Sequence, residues 1–530
     1  MKRSDLVLLF LLGLIVNLAI AAYQSLPGYM DADYYFAGGL QLIRGNGFYE
    51  PYLWNYLADP QALPAPSHAY WLPLASLLAS AGMLLTGQAT FTAARIGFIL
   101  AASLVPPITS VLAYRITSER PLTLLSGLLA CFSIYYAPFL PVTDNYGIYM
   151  LLGASFFLLL SSLLESPKRP FAIFFCIGLI SALFSLARSD GLLWLGMSIL
   201  VAVWYASIKQ SSDSTNRYLS RSFFLQLSSF SFFILLGFLL LLIPWYARNV
   251  AVFGTLMAPG GSRALWLTSY NDTFLYPASQ LTMQYWLASG WSAILLARLT
   301  ALGTNLLNAF AAQGGIFLFP FIVVGIWHLR RDIRVRFAGL SWVLLLVAMT
   351  IVFPFAGPRG AFFHSGAALQ PMWWTLAPVG LDALITFART RNLFDHRAFI
   401  IFRASLIGIA ILMTGLIFAM RVLPNWERED GHYIAVETLL IQQNIPADAI
   451  IIVRNPPGFH AVTNRSAIVI PPGGVPAILT VAEQFSADYL LLEPNGTTAE
   501  LRELYDHPYQ FPIFIYLGES DGSRLYKIIH

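Results

Sequence analysis

Long apolar runs, each closed by basic or turn-forming residues, follow one another from the first residues to about position 420. About 20 apolar residues suffice to cross a hydrocarbon core of about 30 Å as a helix. The pattern predicts spans near 6–22, 91–115, 122–138, 147–164, 171–187, 191–207, 223–243, 315–329, 338–355, 369–386 and 399–420. The first run has the basic start and small-residue end of a cleavable signal peptide. With ten more spans behind it, it reads as an uncleaved first helix. The apolar stretches 70–87 and 291–312 stay outside this set of eleven, because counting either alone moves the basic loops to the wrong face. The second carries Arg298, Thr300, Thr304, Asn305 and Asn308 among its leucines, a mixture that suits a helix lying in the membrane interface.

Charge orients the spans. The short loops "MKR", "RITSER", "SPKR", "IKQSSDSTNRYLSR", "HLRRDIRVR" and "ARTRNLFDHR" alternate with the spans and are all basic. Basic loops stay on the cytoplasmic side, so the N-terminus is expected inside and the C-terminus outside. The outer face then holds a long first loop (23–90), "APFLPVTDNYG", a loop after "PWYARN", and "GPRGAFFHSGAALQP". From about 424 the pattern changes to short β-rich runs, "AIIIVRN", "AIVIPP", "DYLLLE", "FPIFIYL" and "SRLYKII", with helical stretches near 476–486 and 497–506. This predicts a soluble α/β domain over 424–530, beside a transmembrane module over 1–423 that includes the first loop.

Composition agrees. The 530 residues are 57% hydrophobic and 11% charged, against about 25% charged in soluble domains. The net charge of +4 gives no sign of a nucleic-acid partner. Cys131 and Cys176 lie inside apolar runs and read as small core residues, not as a disulfide or metal ligands.

The candidate chemistry gathers at the outer ends of the spans. In "GYMDADYYFAGGLQLIRGNGFYEP", Asp31 and Asp33 open a short interfacial helix that ends near Gly45. A carboxylate there caps free backbone N–H groups; beside a low-dielectric slab it also suits proton abstraction from a hydroxyl. "PVTDNYG" supplies Asp144 and "IPWYARNVAVFG" supplies Arg248. "SLARSDGLLWL" supplies Arg188 and Asp190, equally readable as a packing ion pair or as part of a site. His68 in "PAPSHAYWLPL", with Arg359 and His364 in "GPRGAFFHSG", are outer-face groups able to bind a phosphate. The eight histidines are dispersed, and no HExxH, CxxC, Walker-type loop or GxSxG elbow occurs.

In their order and spacing these motifs resemble the polytopic GT-C glycosyltransferases, in the branch with protein O-mannosyltransferases, aminoarabinose transferases and RgtA-like enzymes. Asp31, Tyr35 and the "RGNGF" around Gly45 are similar to that family's first-loop motif, and "SHAYWLPLAS" to its proline- and aromatic-rich stretch. "TDNYG", "LARSDGLLWL" and "PWYARNVAVFG" resemble its later patterns, and the resemblance covers about residues 1–385. The chain departs from the family in reading Asp-Ala-Asp for Asp-Glu, His68 for a basic residue, and Arg188-Ser189 for Arg-Pro.

The resemblance implies an inverting transferase in the cell (inner) membrane. Its donor would be a polyprenyl-phosphate sugar, and its acceptor a hydroxyl of a lipid, glycan or protein on the outer face. Asp31 and Asp33 are then the catalytic candidates, with Asp31 taking the hydroxyl proton. Arg188, Arg248, His68, Arg359 and His364 are the cations available to the donor phosphate, and Asp144, Tyr35 and Asp190 position the acceptor or the first loop. Related enzymes differ in metal dependence, so a divalent metal stays open. A transporter or flippase of lipid-linked sugars is the alternative from another class, although the inverted repeats common in transporters are not seen. A polysaccharide ligase or polymerase is the alternative among enzymes.

Overall fold

The computed structural model describes residues 2–165, 167–209, 220–424, 426–494 and 497–529. Most of the basic loop "IKQSSDSTNRYLSR" therefore lies outside the described residues. Every predicted span contains a helix, among them Arg3–Ala21, Ile96–Thr117, Tyr146–Leu164, Pro170–Ala187, Leu192–Ile208, Arg221–Phe253 and Arg397–Arg421. Among the described residues, nine helical segments are long and apolar enough to cross a membrane.

The eleven expected spans and these nine differ at identifiable places. The 122–138 run breaks into Arg120–Cys131 and a 3-10 turn, Ile134–Phe139, that contains Pro138. The 315–329 run yields only the ten-residue helix Phe319–His328. Gln370–Thr390 has the length, but its composition keeps it out of the nine. In the other direction, Trp291–Gln313 belongs to the nine although the charge argument leaves it out. That helix leans on the 348–361 segment, where Asn305 Nδ2 donates to the Met349 carbonyl (3.1 Å) and to Thr350 Oγ1 (3.2 Å). The 70–87 stretch forms the helix Leu74–Thr86, 13 residues long and too short for the set.

The helix ends sort into two groups. At one end the basic loops meet: Arg334 Nη1 donates to the Arg115 carbonyl (2.6 Å), and Arg115 pairs with Glu165. At the other end Arg95 Nη1 donates to the Gln24 carbonyl (2.6 Å), whose side chain donates to the Pro138 carbonyl (2.8 Å). The candidate residues lie at this second end, beside the C-terminal sheet.

That sheet has six strands in the order Tyr52–Leu53, Ala467–Val469, Ile451–Val453, Tyr489–Leu492, Ser523–Ile528 and Phe514–Ser520. The first four run parallel, and Ser523–Ile528 runs antiparallel to both of its neighbours, Tyr489–Leu492 and Phe514–Ser520. Parallel strands are covered on both faces and read as near-continuous apolar runs; Ile452, Ile468, Leu490 and Leu492 are buried accordingly. The edge strand Tyr52–Leu53 comes from the first loop, and Tyr56 Oη donates to the Val469 carbonyl (2.6 Å). The first loop thus completes the sheet expected over 424–530. Between bundle and sheet lies the helix Met30–Ile43, packed on Leu74–Thr86 and on Pro456–Thr463.

Candidate active site

Asp31 sits in the first turn of Met30–Ile43, but Tyr29 occupies the cap position and no side-chain cap bond forms. The carboxylate looks instead into the bundle end, 27% exposed, with its Oδ1 3.9 Å from His364 Nε2. The same imidazole nitrogen lies 3.0 Å from Asp144 Oδ2. Asp144 is buried; its Oδ2 also accepts from Tyr29 Oη (2.6 Å), and its Oδ1 from the Asn145 amide (2.6 Å). Thr143 Oγ1 donates to the Ala32 carbonyl (2.7 Å), tying the Asp144 loop to the helix that carries Asp31.

His364 is aimed by its own backbone turn. Gly360 adopts φ +116, a conformation that glycine tolerates and L side chains rarely adopt. The turn brings the Gly360 carbonyl within 2.9 Å of His364 Nδ1. With Nδ1–H donating there, Nε2 is left to face both carboxylates. The ring stacks on Tyr146, centroids 4.1 Å apart.

The electrostatics follow. Burial pushes the Asp31 carboxyl up to about 6; His364 and Arg188 hold it down, and Asp144 pushes it further up. Burial also disfavours the Asp144 carboxylate, but His364 and the bonds from Tyr29 and Asn145 outweigh it and leave Asp144 below the usual range. Burial pulls His364 down while Asp144 pulls harder the other way, so its imidazolium is favoured.

Arg188 stands where Pro170–Ala187 ends and the chain turns extended. Its Nε donates to Asp190 Oδ1 (2.9 Å), and Ser365 donates to the other oxygen of Asp190, so the pair is anchored to the His364 segment. Among the described residues its Nη atoms make no hydrogen bond. Arg359 is exposed, with its guanidinium 4.5 Å over the Tyr270 ring and no ion-pair partner among the described residues. Burial and the Asp31 charge push the Tyr270 hydroxyl up while Arg359 pulls it down, so Tyr270 feels both charges. Tyr35, one turn after Asp31, is buried and feels Asp144, Arg188 and Asp31.

The structure thus brings Asp31, Asp144, His364, Arg188, Asp190, Tyr35 and Arg359 to one end of the bundle, and leaves out three candidates. Asp33 lies about 200° round the helix from Asp31; it is buried, and its Oδ2 accepts from Asn455 Nδ2 (2.9 Å) in the C-terminal domain. Arg248 directs Nη2 at the Phe48 (3.2 Å) and Ser67 (2.8 Å) carbonyls, clamping the first loop. His68 is buried between Ser67 Oγ (2.7 Å) and Ser76 Oγ (2.9 Å). Burial, with Arg248 adding to it, pulls its imidazolium down to about 3, so it is a neutral hydrogen-bonding group. Tyr29, Ser365 and Tyr270 carry no motif that marks them in the sequence, although Tyr29 and Ser365 stand close beside Asp31 and His364.

The sequence shows no metal-ligand cluster; the fold makes one. One ligand atom each from Asp31, Asp144 and His364 lies within 4.8 Å of the other two. Two carboxylates and one imidazole suit a divalent cation, and an Nδ1–H donated to a backbone carbonyl is the usual orientation of a metal-bound histidine.

No family model matches the sequence, and no curated protein does. Solved structures do match. ArnT from Cupriavidus metallidurans, bound to undecaprenyl phosphate, superposes with a TM-score of 0.57 at 10% identity, covering 100% of this chain and 99% of that one. The oligosaccharyltransferase AglB from Archaeoglobus fulgidus, in complex with an inhibitory peptide and a dolichol-phosphate, gives 0.53 at 12% identity, over 95% of this chain and 70% of that one. An Archaeoglobus fulgidus oligosaccharyltransferase in complex with Zn and sulfate gives 0.52 at 12%, over 98% and 72%. The chain therefore shares its fold with ArnT and AglB, which is the fold that the resemblance implies.

Proposed function

We propose that this chain transfers a sugar from a polyprenyl-phosphate donor to an acceptor hydroxyl at the outer face of the membrane, with Asp31 as general base. One observation carries the reading: a half-buried carboxylate at the bundle end shares its surroundings with two arginines that have donors to spare. In the reaction the acceptor oxygen attacks the anomeric carbon while its proton passes to the Asp31 carboxylate. The bond from that carbon to the phosphate oxygen breaks on the opposite side, inverting the centre, and polyprenyl phosphate departs. Phosphate is a good leaving group, so no second acid is required; positive charge on the departing oxygens lowers the barrier. Arg188, fixed by Asp190, supplies it inside the site, and Arg359 supplies it at the rim.

A carboxylate held near 6 suits this task, because it is ionised at neutral pH and still basic enough to take a proton. Tyr29 holds Asp144, Asp144 holds His364, and His364 holds the Asp31 charge. Asp31, Asp144 and His364 are also the residues that would hold a divalent cation, which when bound would add positive charge for the phosphate. The gathering of the basic loops at the opposite end supports an outward-facing site. The neighbours found with undecaprenyl phosphate and dolichol-phosphate support the donor class.

The test is turnover by the purified protein in lipid nanodiscs. Polyprenyl-phosphate sugars are supplied with membrane extracts as acceptor source, and release of free polyprenyl phosphate is followed. Acceptor-dependent release is expected; donors that remain intact across hexosyl and pentosyl forms would refute the reading.

A further inference from the structure

The face of the Met30–Ile43 helix turned away from Asp31 is held by the C-terminal domain at three levels. Asp33 accepts from Asn455 Nδ2 (2.9 Å), and Asn455 Oδ1 in turn accepts from the Gly458 amide (3.2 Å), capping Pro456–Thr463. Two turns on, Gln41 Nε2 lies 2.9 Å from His460 Nε2. His460 Nδ1 faces the Arg465 carbonyl at 2.8 Å, so the proton sits on Nδ1 and Nε2 accepts from the Gln41 amide. At the helix end Arg44 Nη1 donates to Asn464 Oδ1 (2.7 Å). Positions 33, 41 and 44 share one side of a helix with about 100° per residue, and position 31 lies on the other.

The strand of chain leading into that helix is held from the same source. Ser25 donates its amide (2.9 Å) and hydroxyl (2.5 Å) to Glu427 Oε1. Trp426 Nε1 donates to the Leu26 carbonyl (3.1 Å), and the Gly28 amide donates to Asp430 Oδ2 (2.7 Å). Gly28 has φ +89, and a Cβ there would come within 2.5 Å of Trp426 Nε1, so indole and backbone fit only without a side chain. The next residue, Tyr29, packs edge-on against Trp426 (5.9 Å) and donates to Asp144.

We propose that Asn455 and Trp426 are positioning residues: the C-terminal domain fixes Asp31 against His364 and Asp144, and does not recognise the acceptor. This rests on Asp31 being the base. A carboxylate 27% exposed and 3.9 Å from its imidazole has room to drift, and a misplacement of about 1 Å at a reacting group costs about 10²-fold in rate.

The experiment uses the full chain in nanodiscs with Asn455→Ala and, as a milder variant that keeps the ring, Trp426→Phe. Steady-state transfer is measured with donor and acceptor each varied, alongside amide exchange over residues 25–45. In Asn455→Ala, kcat is expected to fall about 10–100-fold with both KM values within about twofold, while exchange over 29–36 rises about tenfold. Trp426→Phe is expected to move both in the same direction by less, and it carries the test if Asn455→Ala does not fold. A raised acceptor KM with kcat retained would overturn the proposal in favour of acceptor recognition. Unchanged exchange, or faster exchange with kcat retained, would overturn it as well. A wild type that transfers nothing would instead refute the proposed function, and exchange alone then decides the coupling.

Discussion

Replacing His364 by Gln removes a charge from Asp31 while keeping a polar side chain in place. The two groups lie 3.9 Å apart. Unit charges at about 4 Å interact by about 1 kcal/mol in water and about 4 kcal/mol at the effective permittivity near a protein surface. Asp31 is 27% exposed, so its case lies between these limits. The imidazolium favours the ionised carboxylate; without it the acid form gains, and a base works only when ionised. At about 1.4 kcal/mol per pH unit, the Asp31 titration moves from about 6 to between about 7 and 9. The wild type should show kcat/KM rising with pH through about 6, a profile that reports the free enzyme. In His364→Gln the rise should come later, with a deficit at neutral pH that closes towards pH ~9. The assay is initial-rate transfer in nanodiscs from pH ~5 to ~9.5, with donor binding measured at each pH. An acid limb still at about 6, or a loss equal at every pH, would refute the reasoning.

Other expectations follow from the same geometry. Arg188→Met should lower kcat by about 10²–10³-fold, as loss of a preorganised charge at the leaving group does, and should delay the acid limb, because Arg188 also holds the Asp31 carboxyl down. Arg359→Ala should raise the donor KM by about tenfold with kcat nearly unchanged, consistent with one charge-assisted contact; an unchanged KM would remove Arg359 from the phosphate. His68→Ala should destabilise the protein by about 1–3 kcal/mol by stranding Ser67 Oγ and Ser76 Oγ. Because His68 is neutral, the salt dependence of donor binding should stay as in wild type, and a changed dependence would contradict this.

The legible features of the sequence are those that depend on neighbours along the chain. Run length and basic loops located the helices, and continuous apolar triplets such as "IIV" and "AIV" located the buried parallel strands. The edge strand Tyr52–Leu53 was not legible, because two residues carry no periodicity and their partner is Ala467–Val469. The helix break near 132 is not legible, because apolar residues continue through it while the backbone turns. The site divides the same way. Asp31 and Arg188 stand out as charges at helix ends, whereas Asp144 and His364 meet across 220 residues, so their cluster exists only once the bundle is folded. His68 and Arg248 look like available cations in the sequence, which shows charge type but not burial. One is held neutral between two serines, and the other has its donors on first-loop carbonyls.

In the proposed reaction Asp31 accepts the acceptor's proton. Asp31→Asn keeps the size and first-turn position of the side chain and removes its basicity. With radiolabelled polyprenyl-phosphate sugar in membranes, this variant should bind donor as wild type does and transfer about 10²–10⁴-fold more slowly at every pH. Transfer by Asp31→Asn at the wild-type rate would contradict the account.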